Sequence, residues 1–211
     1  MDELTLERSL AAQGFLRVAG VDEVGRGPLA GPVVCAAVIL PLEEDRRIVG
    51  IDDSKKLSAK KRQALAEKIK TTARAYAVAE VDASVIDEIN ILQATRLCMK
   101  RAVEQLLPAA DMVLTDGNMT LDISIPQRSI VRGDALVCSI GAASILAKVH
   151  RDALMAEYAK LYPEYAFERN AGYGTKAHIA AIREVGICPI HRRTFITKFW
   201  DGKERHSSAS T

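Results

Sequence analysis

Apolar and polar positions alternate in short β-like runs through the first part of the chain and recur at longer, helical intervals afterwards. Arg17–Val24 (RVAGVDEV) is apolar and β-branched and runs into Gly25-Arg26-Gly27-Pro28, which predicts a strand ending in a tight loop. Val33–Leu40 (VVCAAVIL) is almost unbroken in its apolarity and is closed by Pro41, the pattern of a central buried strand. From Ser58 the period lengthens: Ser58 is placed to cap a helix through Ile69, with Leu65 and Ile69 inward and lysines outside. Tyr76–Val81 alternates large apolar residues with Ala or Glu and predicts a third strand. Ser84–Leu107 has the longest helical pattern, with Val85, Ile89, Leu92, Leu97, Val103 and Leu107 as core candidates before Pro108. Asp111–Thr115 then reads as a strand stopped by Asp116-Gly117-Asn118, and Arg128–Val131 as another stopped by Gly133-Asp134. Leu136–Leu161 predicts a long helix ended by Pro163, and Thr175 starts a last helix, Ile179 and Ile182 inward, that ends near Gly186.

Three strands, a helix, two more strands and terminal helices predict an α/β layered domain built on a five-stranded sheet of mixed direction, flanked by helices. Neither a repeat nor a low-complexity linker interrupts the chain, so one domain over residues 1–211 is expected. Within it, residues 1–16 form an N-terminal extension and 164–200 a helical C-terminal extension, and 201–211 is a polar tail expected to be mobile.

The 211 residues suffice for one sizeable core, and 48% hydrophobic with 27% charged residues excludes a disordered or fibrous chain. A net charge of +2 is uninformative, but its distribution is not. Residues 1–45 hold three basic and eight acidic groups, 46–62 seven and two, and 148–205 eleven and seven, so two basic blocks are available to a polyanion. The four dispersed cysteines, with no CxxC pair, read as buried hydrophobes in a reducing compartment. The acidic N-terminus is no secretory signal. The longest uncharged run, the 16 residues Gly27–Leu42, is too short and too proline-rich for a membrane helix, so a cytoplasmic protein is expected.

Candidate chemistry gathers at strand ends. Asp22-Glu23 interrupts an apolar strand, Asp116 follows Met112-Val113-Leu114-Thr115, and Asp134 follows Ile130-Val131 closely. An acid at a strand end is ordinarily a turn former or a cap; a carboxylate pair inside an apolar strand is costly to bury unpartnered. Two like charges about 5 Å apart repel by roughly 3 kcal/mol at an effective dielectric near 20, so a convergent set calls for protons or cations. All-oxygen ligands without clustered His or Cys favour Mg²⁺ or Mn²⁺, and such a site suits two-metal phosphoryl transfer. Pleating sends Asp22 and Glu23 to opposite faces, so both serve one site only if the strand ends there or one uses its carbonyl.

Four further segments suit a nucleic acid. Gly25-Arg26-Gly27 allows close backbone approach to an anion or hydroxyl, although the tripeptide alone reads equally as a plain tight turn. Lys55 and Lys56 lie in a basic loop opening a helix, and Ser144, Lys148 and Arg151 fall at i, i+4 and i+7 on one helix face; each is a phosphate contact or merely solvated polar surface. Tyr173 in Gly172-Tyr173-Gly174-Thr175 is a stacking platform or a packing residue.

The chain resembles the ribonuclease HII family, the type 2 ribonucleases H, from about Ala19 to Phe195. The likeness rests on AGVDEVGRGPLAGPVV (Ala19–Val34), DDSKKLS (Asp52–Ser58), NILQAT (Asn90–Thr95), TDGN (Thr115–Asn118), Gly133-Asp134, AASILAKVHRD (Ala142–Asp152), GYGT (Gly172–Thr175) and CPIHRRTF (Cys188–Phe195). It implies an RNase H-like fold and a Mg²⁺- or Mn²⁺-dependent endonuclease that cuts RNA in RNA–DNA hybrids. Asp22, Glu23, Asp116 and Asp134 would be the metal-binding catalytic carboxylates. Gly25-Arg26-Gly27 and Tyr173 would read the ribonucleotide–deoxyribonucleotide junction. The resemblance further implies incision 5′ of single ribonucleotides embedded in duplex DNA, leaving 3′-hydroxyl and 5′-phosphate ends, with a role in replication and repair.

One departure is Met119-Thr120-Leu121-Asp122 after Asn118, where the family often has a basic residue. Asp22 stands too near the start for the extra N-terminal domain of ribonuclease HIII, which favours HII. A monomer is expected, and a sliding clamp on the polar tail is a conceivable partner that no motif supports. Two rivals stay open on the residues alone: a non-catalytic binding module of this fold, and a DNA-directed nuclease with a similar acidic site.

Overall fold

The computed structural model describes residues 4–51, 54, 57–200 and 202. The Lys55-Lys56 pair and the tail from Asp201, apart from Gly202, lie outside the described residues.

The five strands are β1 (Val18–Val24), β2 (Val33–Ile39), β3 (Ala75–Val81), β4 (Met112–Asp116) and β5 (Gln127–Ile130), arranged in the order β3-β2-β1-β4-β5. β1–β2 and β2–β3 are antiparallel, whereas β1–β4 and β4–β5 are parallel, the mixed sheet the sequence predicts. The helices are α1 (Thr5–Ala12), α2 (Ala59–Thr72), α3 (Ala83–Glu104), α4 (Gly133–Leu136), α5 (Cys138–Leu161), α6 (Phe167–Asn170), α7 (Lys176–Val185) and α8 (Arg193–Ile196). No described helix is long and apolar enough to cross a membrane.

α3 covers one face of the sheet through Val33, Cys35, Ala37 and Ile39 of β2 and the alanines of β3. α2 and α5 cover the other through Val34, Ala36 and Val38. Both faces of β2 are therefore dry, and all seven of its residues are buried, which explains its unbroken apolar run. On β3 the small residues Ala75, Ala77 and Ala79 face the core while Tyr76 is exposed. All four cysteines are buried.

Ser58 caps α2 as expected, its hydroxyl accepting from Lys61 N at 3.3 Å. α3 departs from its predicted register. Asn90 has φ 65° and breaks the helix, and its side-chain oxygen then accepts from Leu92 N at 3.0 Å and Gln93 N at 3.2 Å, starting a new segment. The break resets the inward face to Ala94, Cys98, Met99, Ala102 and Val103, leaving Leu92 40% exposed, and α3 ends at Glu104, leaving Leu107 beyond it and 88% exposed, so these two predicted core positions are corrected. The expected single helix from Leu136 is α4 and α5 joined by extended Val137 (φ −127°, ψ 119°), and Gly133-Asp134 opens α4 rather than closing a turn.

α5 runs directly against β1. At Gly20 a Cβ would lie 2.1 Å from the Ser139 carbonyl carbon, so only glycine permits this approach. The N-terminal segment forms α1, which pattern reading leaves unassigned. Glu7 of α1 is buried and accepts from Ser139 N at 2.9 Å, a carboxylate at the positive start of α5. Beyond α5, Tyr165, Phe167, Ile182, Ile187, Cys188 and Ile196 bury Met155 and Ala30, joining the C-terminal helices to the loop after β1.

Candidate active site

Three parallel strands deliver the acids to one end of the sheet. β1 carries Asp22 and Glu23 close to its end, β4 finishes at Asp116, and β5 leads through Arg132 (φ 59°) to Asp134 in the first turn of α4. Crevices outside the carboxyl ends of such strands are where sites assemble. All four acids line one cleft of about 290 Å³, together with Ser54, Ser144, Lys148 and Tyr173.

The pleat conflict at Asp22-Glu23 is resolved by strand divergence. The β1–β4 ladder stops at Val21↔Thr115, while β1 continues against β2 to Val24↔Val34. Among the described residues no strand pairs with that edge of β1 beyond Val21, and both acids line the cleft. Asp22 is 6% exposed, and Ser144 of α5 supplies a hydrogen bond to it. The Ser144 hydroxyl also lies 2.9 Å from that of Ser54, which extends the chain of polar groups behind the carboxyl.

Burial above all, then the neighbouring Glu23 and Asp116 charges, push Asp22 up to about 8. Burial also raises Glu23, against the pull of Arg26, whose Nη1 lies 3.4 Å from its Oε1. Asp116 Oδ1 accepts from Gly133 N at 2.7 Å, which ties the end of β4 to the turn bearing Asp134. Among the described residues no three Asp, Glu, His or Cys side chains are drawn together tightly enough to enclose an ion as they stand. The donor set nevertheless fits a hard divalent cation: oxygen ligands only, half-buried, crowded, and destabilised by their own negative charge.

The glycine loops adjoin the cleft through Tyr173, which lines it. Gly25 has φ 92°, a conformation that favours glycine, and Arg26 and Gly27 are exposed. Gly27 faces Tyr173: a Cβ there would lie 3.5 Å from Cε1 of the ring. Leu29 N donates to Gly172 O at 2.8 Å, joining the two loops. Tyr173 is 49% exposed, and its carbonyl lies 2.9 Å from Nδ1 of buried His178. His178 Nε2 in turn lies 3.0 Å from His191 Nε2, and burial first, then the His178 charge, lower His191 to about 3.

The predicted α5 face separates along its length. Ser144 and Lys148 line the cleft, with Lys148 paired to Asp152, but Arg151 does not reach it. Arg151 is 1% exposed and donates to main-chain carbonyls, which corrects its reading as a phosphate contact. Ser54 is a cleft residue that the basic loop gave no reason to single out. Arg192, quoted only within CPIHRRTF, is 0% exposed beneath the Gly25–Gly27 loop.

The family model for Ribonuclease HII matches residues 19–198. A ribonuclease HII from Leuconostoc mesenteroides is 54% identical over 195 residues, covering 92% of this chain and 76% of that protein. One from Endomicrobium trichonymphae is 57% identical over 192 residues, 90% of each. The crystal structure of ribonuclease H2 from Pyrococcus horikoshii OT3 aligns with a TM-score of 0.73 at 27% identity, covering 85% of this chain and 93% of that one. Matches of this extent, on a chain whose strand-end acids share one cleft, place it in the ribonuclease HII family of endoribonucleases that act on the RNA of RNA–DNA hybrids.

Proposed function

We propose that this ribonuclease incises duplex DNA on the 5′ side of a single embedded ribonucleotide, leaving 3′-hydroxyl and 5′-phosphate ends, with Asp22, Glu23, Asp116 and Asp134 holding one or two Mg²⁺ or Mn²⁺ ions. The observation that carries this reading is a cleft lined by four carboxylates and by the half-exposed Tyr173, against which Gly27 of the neighbouring glycine loop is set. When bound, such ions supply an activated water and charge stabilisation at the departing 3′-oxygen.

The chain's own groups do the positioning. Ser144, with Ser54 behind it, orients the Asp22 carboxyl, and Gly133 N–H orients that of Asp116. Backbone N–H groups of the Gly25–Gly27 loop come close to a 2′-hydroxyl, the donor and acceptor that separates RNA from DNA. The Tyr173 ring stacks on the adjoining deoxyribose, and Lys148 offers its charge to a phosphate at the cleft wall.

The test is a labelled duplex with one ribonucleotide, incubated with Mg²⁺ or Mn²⁺ and followed by mapping of both product ends. Cleavage 5′ of the ribonucleotide with the stated ends is expected; an uncut duplex, alongside efficient cutting of a long hybrid, overturns the reading. Tyr173→Ala should slow this reaction about 10- to 100-fold, since truncating an aromatic platform costs about 1–3 kcal/mol per stacked unit. Initial rates check it: a variant that cuts at the parent rate assigns the ring to packing.

A further inference from the structure

Two arginines from distant parts of the chain meet beneath the Gly25–Gly27 loop, and both are fully enclosed, Arg192 at 0% and Arg151 at 1% exposure. Each of their side-chain hydrogen bonds goes to a main-chain carbonyl. Arg192 donates from Nε to Gly31 O at 3.0 Å, from Nη1 to Arg26 O at 2.9 Å, and from Nη2 to Gly25 O at 2.6 Å and Gly31 O at 2.8 Å. Its backbone N–H takes Leu29 O at 2.8 Å. Arg151 donates to Pro32 O and Ala30 O, both at 3.1 Å, and to Ala171 O at 2.9 Å. Six of the eight carbonyls from Gly25 to Pro32 thus point at these two residues, and Ala171 O brings in the turn before Tyr173.

Enclosing two neighbouring cations away from carboxylate partners is expensive, and a well-packed apolar pair of similar volume is often as stable or more so. A function in shaping the loop accounts for the arrangement. In a trans peptide the N–H points opposite to the C=O. With Gly25 O and Arg26 O turned down to Arg192, the N–H groups of Arg26 and Gly27 are turned up, and both residues are exposed. A guanidinium behind each peptide also polarises it, making the outward N–H a stronger donor to an oxygen ligand.

We infer that Arg192 is a positioning residue for ribonucleotide readout, holding the Arg26 and Gly27 N–H groups outward as a fixed donor pair for the sugar and phosphate oxygens of the junction, while Arg151 locks the same loop to the Tyr173 turn. This rests on the proposed junction reading. Burial first, and then the charge of Arg151, lower Arg192 to about 9, which leaves it cationic at neutral pH.

Arg192→Lys, which keeps the charge but not the fork of donors, and Arg192→Ala are assayed on a single-ribonucleotide duplex and on a long RNA–DNA hybrid, with Mg²⁺-induced thermal shifts in parallel. A lone ribonucleotide offers this loop a single 2′-hydroxyl, whereas a hybrid spreads its contacts over many sugars. Arg192→Lys should therefore lose about 100-fold in kcat on the single-ribonucleotide duplex, the effect of a displacement near 1 Å, and less than about tenfold on the hybrid. Its Mg²⁺-induced shift should match the parent's, and millimolar guanidinium should restore part of the Arg192→Ala activity. Equal losses on both substrates, or parental rates for Arg192→Lys, overturn the positioning role. A parent that cuts hybrids but ignores the single ribonucleotide instead overturns the junction reading beneath it.

Discussion

Replacing Asp116 by asparagine is expected to remove nearly all cleavage of an RNA–DNA hybrid while leaving the fold in place. Asparagine keeps an oxygen for the 2.7 Å bond from Gly133 N, so the tie between β4 and the turn into α4 survives. The substitution does remove a negative charge from the cleft shared with Asp22, Glu23 and Asp134. Even partners one layer outside a metal typically cost about 10- to 100-fold when changed, so loss of a direct ligand should exceed about 100-fold. Hybrid cleavage with Mg²⁺ measures the loss, and thermal melting checks the fold. An Asp116→Asn enzyme with parental Mg²⁺-dependent rates would remove Asp116 from the catalytic set.

Asp22→Asn should likewise inactivate the enzyme, but in metal-free buffer it should make the chain more stable than its parent. The Asp22 carboxyl is nearly enclosed and faces two other acids, and its affinity for a proton rises from the ordinary 3.8 to about 8. The folded chain therefore holds this proton well after the unfolded chain has released it. Stability from this group is complete below about 3.8 and is lost as pH rises through about 8. Each tenfold change in proton affinity is worth about 1.4 kcal/mol, so removing the charge should gain a few kcal/mol at pH 8 and almost nothing at pH 4. Asparagine still accepts from Ser144. Melts in chelator at the two pH values test the difference, and added Mg²⁺ should close the gap by stabilising the parent more. Equal melting temperatures for parent and variant at pH 8 would show that the carboxyl is not under this strain.

The two expectations share a cause. Carboxylates brought together for a cation cost the fold something whenever the cation is missing, because their like charges share one cleft.

The five strands, the mixed layering and the placing of the acids at strand ends were legible in the sequence because these are local matters, whereas the grouping of the four acids into one set came from the family resemblance. Apolar runs of strand length, the stops after them and a charge pair inside a strand are written in consecutive residues. The capping of α2 by Ser58 was legible for the same reason. Tertiary structure decided which side of each element meets what. Ser144 and Arg151 share a face of α5, but seven residues separate them by about 10 Å along the axis, enough to carry Arg151 past the cleft and under the loop. Spacing gives direction around a helix, not the layer of the protein found at that height. The reset of α3 at Asn90 is also non-local, because Ala94, Cys98 and Ala102 become core only through the surface of β2 and β3 opposite them. Arg192 was the least visible. A cation whose partners are carbonyls some 160 residues earlier in the chain leaves no pattern in its own neighbourhood, and only folding brings the two together.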